Sequence, residues 1–432
     1  MPRFFIRTFL CALAALTTLT GLALQAQQTE VVLSASSSAK LVLGMTPPKA
    51  SGIDDSLVAT EFTAVLKRDL DETGVFAVLQ ERLPADGAPV KAWKEAGAQW
   101  LLNVRLTKGA VGDLQLEASA LDTAAEKAVF TKPYKADRMV PLRRMAHALA
   151  DDLVARLTGE RGVASSRVVF VRQTAPGVKE LFQIDRDGAN LVQLTRHGSL
   201  TLSPTVAADG RLAYVTYKGG APEIWGQRRR DGAHEKLYPA TGSGAMVSSP
   251  AWSPDGRRLA FVQGDRRGNS DIMVLDLDTG RARRLTDGNG INTEPSWNPN
   301  GTQIAFTSDR EGGPQVFLMQ DDGSNLRRLT GEGLYNASPA WSPNGAMIAY
   351  VSRFEGKFDL FIYKLGEGKA YQITTGVSTS ESPAWSPDER RLVFTSNRFG
   401  SMQIFTTDLS GRQVVRMTEL AGCQSPKWTR AR

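Results

Sequence analysis

The sequence predicts an α+β multidomain protein, with a small N-terminal α/β domain followed by a six-bladed β-propeller. Three observations predict it. From residue 203 onward a phrase like Ser249-Pro250-Ala251-Trp252-Ser253-Pro254-Asp255-Gly256 keeps returning, with tryptophans at 252, 297, 341, 385 and 428 spaced 45, 44, 44 and 43 residues apart. A period near that length is the signature of propeller blades. The preceding residues lack the repeat and mix helical periodicity with strand-like runs. Forty glycines among 432 residues call for many tight turns and so favour hairpins over long helices.

Taken in order, residues 1–26 read as a cleaved secretory signal. Arg3 and Arg7 make a basic start, Phe9 to Leu24 is an uncharged run, and Ala26 is a small residue for cleavage. That run of about 16 residues is shorter than the roughly 20 needed to span a bilayer. Removal of Cys11 with this segment leaves Cys423 alone, so no internal disulfide is expected and packing must carry stability in an oxidising compartment. The net charge of +7 falls to about +5 once Arg3 and Arg7 are removed. The pairs Arg257-Arg258, Arg266-Arg267, Arg283-Arg284 and Arg327-Arg328 recur at similar places and read as solvated strand and turn positions. No aromatic-interleaved basic motif accompanies them, so nucleic acid is not expected as a partner.

Residues 27–162 are expected to form the N-terminal domain. Leu41 to Met45 reads as a strand. Asp54 or Asp55 caps a helix whose Leu57, Val58, Phe62, Val65, Leu66 and Leu70 follow the 3.6 period. Val75 to Leu79 and Trp100 to Leu106 read as strands, Val90 to Ala96 as a short helix, and Pro141 to Leu157 as a helix that Gly159 ends.

Residues 163–432 are assigned to the propeller. Asp255-Gly256, Asn300-Gly301 and Asn344-Gly345 are dipeptides of two-residue hairpins, each followed by an alternating apolar run. A second turn follows in each copy, at Asp187-Gly188, Asp231-Gly232, Thr279-Gly280, Asp322-Gly323 and Ser410-Gly411, giving four strands per blade. Openings at 203, 249, 294, 338, 382 and 425 number six. The last has no strands after it, while residues 167–195 supply strands with no opening. Joining the two closes the ring and removes an open edge. In the repeated phrase Trp is expected to pack between blades and Pro to open a strand where no donor is needed.

Scaffold demands are shared by every copy, so function is expected where the copies differ, in the loops Ala245 to Ser248, Asn289 to Glu294, Tyr335 to Ala337 and Ser378 to Glu381 around one mouth of the channel. The candidate contacts there are Ser248, Ser249, Asn292, Thr293, Glu294, Asn336, Ser338 and Glu381. His147, His197 and His234 lie far apart without metal-ligand spacing, and no Gly-x-Ser-x-Gly elbow, phosphate loop or dinucleotide fingerprint is present. No catalytic residue, metal or cofactor is expected, and the chain reads as a monomeric, non-enzymatic docking protein. The alternative is a propeller enzyme or gating domain. It would be hydrolase-like, though no nucleophile elbow is present, or lactonase-like with Glu294 on Ca²⁺, against which the acidic residues do not converge from several blades in sequence.

Three stretches resemble the TolB family of the Tol-Pal system: Glu30-Val-Val-Leu33, the junction Leu157-Thr-Gly159 with Arg167-Val-Val-Phe-Val171, and Asn292-Thr-Glu-Pro-Ser-Trp297 with Ile304-Ala-Phe-Thr-Ser-Asp309. The resemblance implies a periplasmic protein that helps keep the outer membrane attached and constricting during division. It further implies that the propeller mouth binds the peptidoglycan-associated lipoprotein Pal, with Thr293 and Glu294 matching the contacting loop. The N-terminal segment Thr29, Glu30, Val31, Val32 and Leu33 would bind TolA. Glu294→Arg is expected to weaken Pal binding with little change in melting temperature.

Overall fold

The computed structural model describes residues 40–79, 84–109, 112–136, 142–227, 233–239, 246–288, 290–354, 356–376 and 378–430. The leader, the segment Thr29 to Leu33, Ala245, Asn289 and the Asp231-Gly232 turn lie outside them.

The N-terminal domain is one sheet with helices on a face. Strand β1 (Leu41–Met45) runs parallel to β3 (Phe76–Val78) and to β4 (Trp100–Lys108), and the short β2 (Lys49–Ser51) also pairs with β4. Two strands that the sequence reading lacked, β5 (Leu114–Asp122) and β6 (Lys127–Ala136), complete the meander β4-β5-β6. Their inward positions include the small Ala118 and Ala120, and Pro133 sits in β6. Such residues give a weak strand signal, and an edge strand tolerates the proline because its outer side needs no donor.

Asp54 caps the first helical segment, accepting from the amides of Ser56 at 2.8 Å and Leu57 at 3.3 Å, as an N-cap carboxylate does. The helix runs as α1 (Asp55–Leu57), a π-helical segment (Val58–Thr63) and α2 (Ala64–Glu72). Val58, Phe62, Leu66 and Leu70 face the sheet and meet Met145, Leu149 and Leu153 of α4 (Leu142–Thr158) over Leu102, Leu106 and Leu116. Each such buried side chain contributes about 1.5–3 kcal/mol. The short α3 (Val90–Glu95) buries Trp93 on β1 at Gly44, where an added Cβ would lie 2.6 Å from the indole.

Six four-stranded sheets make the propeller. Blade 1 takes three strands from Arg167–Ala175, Val178–Asp185 and Val192–Gln193, and its inner strand, Cys423–Trp428, from the C-terminus. That strand pairs antiparallel with Arg167–Ala175, Trp428 opposite Val168 and Cys423 opposite Arg172. The inner strands of blades 2 to 6 are Thr201–Val206, Met246–Trp252, Asn292–Trp297, Asn336–Trp341 and Ser380–Trp385.

Proline does not open these strands. It lies within them, after a residue in the left-handed region in every blade: Ser203, Ser249, Glu294, Ser338, Ser382 and Ser425 have φ between 48° and 55°. The ladder shifts register at the same place in all six. A bulge leaves the missing donor without a ladder bond to lose.

The first turns are wider than two residues. The Ser253 amide donates to the Arg258 carbonyl and the Gly256 amide to Ser253, with the buried hydroxyls of Ser253, Ser342 and Ser386 accepting from the amides of Arg258, Met347 and Arg391 at 2.9, 3.0 and 2.9 Å. Only the glycine takes positive φ in the copies with Asp-Gly or Asn-Gly, whereas Glu389 does so at 61° in blade 6.

Not all the arginine pairs are solvated. Arg258 lies 4.7 Å over the Trp297 ring and donates to Asp321 at 2.7 Å and to the Gly301 carbonyl at 3.1 Å, tying blade 3 to blade 4. A repeated Leu/Ile/Met-Thr pair does similar work in five of the six blades: Thr195, Thr286, Thr330, Thr374 and Thr418 are buried and accept from amides of the third strand.

Antiparallel blades place the first and third turns on one face and the loops between strands two and three, and between blades, on the other. The N-terminal domain docks on the turn face. Arg68 and Arg143 donate to Asp187, Arg186 pairs with Glu72 at 3.0 Å, and Arg390 donates to the Thr73 carbonyl and to Glu160.

Candidate functional site

The loop face, on the far side from the N-terminal domain, carries the predicted mouth. Each inner strand brings its second and third residues there. Thr293, Glu294, Ser248, Ser249, Ser338 and Glu381 are all half-buried at this rim. Asn292 and Asn336 are not available to a partner, being 0% and 1% exposed. Asn292 holds Ser270, Ser308 and Arg310, and Asn336 donates to Gln315 and to the Glu332 carbonyl. They anchor the rim from inside.

Glu294 occupies the left-handed position that serine fills in the other five blades. Its carboxylate accepts from Thr307 Oγ1 at 2.9 Å and, across the blade boundary, from the Ser338 amide at 2.8 Å and hydroxyl at 2.6 Å. It is therefore a fastener between blades 4 and 5 as well as a rim charge, so Glu294→Arg would also disturb the scaffold, unlike the sequence expectation.

Two carboxylates, from blades 4 and 6, come near enough to act on one another. Burial pushes the Glu381 carboxyl above its ordinary pKa, and the field of Glu294 adds to this. Tyr335 is raised by burial and then by both carboxylates. Two carboxylates gather there; among the described residues no third metal-ligating side chain joins them.

The same face carries large apolar side chains that sequence reasoning missed. Met246, Ile291, Leu334, Phe354 and Phe399 are 55%, 50%, 90%, 41% and 62% exposed. All five sit at the edges of loop-face connections in blades 3 to 6. A soluble surface that concentrates exposed apolar groups around a polar centre is suited to protein contact.

A second cluster lies between the domains. His147 Nδ1 is 2.5 Å from Asp69, and its Nε2 faces Asp187 at 3.7 Å without a hydrogen bond. Ligand atoms of His147, Asp185 and Asp187 lie within 4.8 Å of one another. These carboxylates are already committed, Asp187 to two guanidiniums and Asp185 to Arg167 at 3.2 Å and Asn190 at 2.6 Å. Their chemistry is that of an ion-paired domain joint. Burial opposes charge on His147, but the hydrogen bond to Asp69 and the fields of Asp69, Asp187 and Asp185 outweigh it and raise its pKa. Asp187 is lowered: burial opposes this, while the Ala189 amide, Arg68, His147 and Arg143 prevail.

Residues 154–360 and 335–431 match the family model described as the TolB beta propeller domain, and residues 29–129 match the TolB amino-terminal domain. A Tol-Pal system protein TolB of Anaeromyxobacter dehalogenans is 34% identical over 298 residues, 66% of each chain. A protein TolB homolog of Chlorobium luteolum is 32% identical over 276 residues, 62% of this chain and 61% of its own. The matches thus span about two thirds or less of these relatives' lengths. Among solved structures, TolB from Acinetobacter baumannii superposes with a TM-score of 0.74 over 91% of this chain and 97% of its own, at 24% identity. That likeness shows the two-domain fold.

Proposed function

The chain belongs to the TolB family of the Tol-Pal system, and on that premise we propose that it acts without catalysis, as a periplasmic docking component that binds Pal at the loop-face mouth. It thereby helps keep the outer membrane attached and constricting during division. The observation that carries this reading is that exposed apolar side chains of the loop-face connections share that face with the Glu294 and Glu381 carboxylates. The contacts proposed are Thr293, Glu294, Ser248, Ser249, Ser338 and Glu381 with Ile291 and Leu334 beside them, while Asn292 and Asn336 hold the rim in shape. The mouth's named carboxylate Glu294 is engaged in hydrogen bonds between blades rather than poised on a nucleophile. No described helix is long and apolar enough to cross a membrane, and export rests on the leader read from the sequence.

The test is calorimetric titration of the mature protein with soluble Pal. Leu334→Ser removes a side chain that is 90% exposed and should weaken binding about tenfold, roughly 1.4 kcal/mol, at unchanged melting temperature. Unaltered affinity in both Leu334→Ser and Ile291→Ser would remove the mouth from the interface. TolA is proposed to bind Thr29, Glu30, Val31, Val32 and Leu33, with Pal occupancy of the mouth biasing release of that segment. Coupling of this kind is reciprocal. Deleting residues 27–36 should therefore abolish TolA capture and alter Pal affinity; intact TolA capture with unaltered Pal affinity would refute it.

A further inference from the structure

The other end of the channel holds a feature that docking at the mouth does not use. A cavity of about 280 Å³ lies among the Trp ends of the inner strands, walled by Pro250, Pro295, Pro339, Trp341 and Trp385. Its room comes from the residue after the proline of each inner strand, which is small in five blades: Thr205, Ala251, Ser296, Ala340 and Ala384. In blade 1 the same position is Lys427.

Lys427 lines this cavity and makes no hydrogen bond or ion pair among the described residues. Burial lowers its ammonium pKa, and the one charge that opposes this is Glu294. Glu294, however, spends its oxygens on Thr307 and Ser338. The Lys427 side chain is only partly exposed, and its ammonium carries three donors that no described residue engages. Among the described residues Arg430 is the only other charged group on the wall, and no carboxylate lines it. A divalent cation would meet two positive groups; an anion would relieve one.

We propose that this cavity is a binding site for a small carboxylate with a ring or other compact apolar body, its oxygens on Lys427 and its body against the prolines and indoles. A volume at the small end of ligand sites limits the occupant to a free small acid or the terminal residue of a peptide. The proposal does not rest on Pal binding, since none of the proposed Pal contacts lines the cavity.

The experiment is a titration of the mature protein with cyclohexanecarboxylate, followed by tryptophan fluorescence and thermal melting. Its amide is the control, and acetyl-Ala-Phe with a free or an amidated C-terminus forms a second arm. The acid should bind saturably and raise the melting temperature, as a ligand of the folded state must, and the amide should bind at least about tenfold more weakly. Lys427→Met should melt at a higher temperature without ligand and lose the response to acid, whereas Lys427→Arg should keep it. Preference for the free-ended peptide over cyclohexanecarboxylate would identify a chain terminus as the source, and the reverse a free acid. No saturable binding of either acid, equal binding of acid and amide, or an undiminished response in Lys427→Met would overturn the proposal. If Lys427→Met does not fold, the acid and amide comparison on the wild type and Lys427→Arg decides.

Discussion

Asp187→Asn should loosen the two domains from each other. The Asp187 side chain is 3% exposed and takes the guanidiniums of Arg68 and Arg143, whose side chains are 39% and 16% exposed, with His147 Nε2 at 3.7 Å. Asparagine keeps the acceptor for the Ala189 amide but removes the counter-charge from Arg68 and leaves Arg143 with Glu61 alone, at 3.2 Å. Breaking a buried ion pair costs about 3–5 kcal/mol, and a solvent-exposed pair about 0–1 kcal/mol. Arg68 belongs near the second range and Arg143 nearer the first, so a loss of about 2–4 kcal/mol is expected. Because the joint is the main polar tie between the domains, the loss should fall on the N-terminal domain. Scanning calorimetry should show its transition lowered by roughly 8–30 °C, given about 4–8 °C per kcal/mol for a domain of this size. The propeller transition should stay in place. A double-mutant cycle with Arg143→Gln should return a coupling above about 1 kcal/mol. A shift under about 2 °C with additive single mutants would show that the domains are held by other contacts.

The same joint should respond to pH. His147 has its folded pKa raised, so its contribution is complete below the unfolded value of about 6.5 and is lost as pH rises through the higher folded value. Melting temperature measured between roughly pH 5.5 and pH 9 should fall in the wild type relative to His147→Gln; parallel curves would exclude the imidazole. Glu389→Gly should stabilise the protein by roughly 0.5–1 kcal/mol in urea unfolding, since a side chain at φ 61° carries a left-handed penalty that glycine lacks. Destabilisation instead would mean that the Glu389 side chain matters more than its backbone. Thr286→Val should cost about 1–3 kcal/mol, because the buried hydroxyl accepts from the Ile272 amide at 3.1 Å and donates to Asp271 at 2.6 Å. A neutral result would show that the repeated threonine is dispensable to the blade.

The sequence alone determined the number of blades and the order of strands within each, because every copy solves the same packing problem with the same residues. The 44-residue spacing, the glycine turns and the buried tryptophans are local and periodic, and periodicity survives without coordinates. It also showed which loops share a rim, since those follow from strand direction. Other features depended on distance in space. The left-handed residue before each inner-strand proline, serine in five blades and Glu294 in the sixth, could not be read from a dipeptide whose ordinary preference is extended. The meander strands β5 and β6 were hidden by small residues and a proline that only an edge position permits. Arg258 read as a surface charge until the next blade placed Trp297 beneath it. His147 looked isolated because Asp69 and Asp187 are 78 and 40 residues away in sequence. Glu294 and Glu381 fall 87 residues apart in sequence, and Lys427 lies beyond both. Closing the ring brings the three into one channel, because a charge acts through space and the chain's order says nothing of that separation.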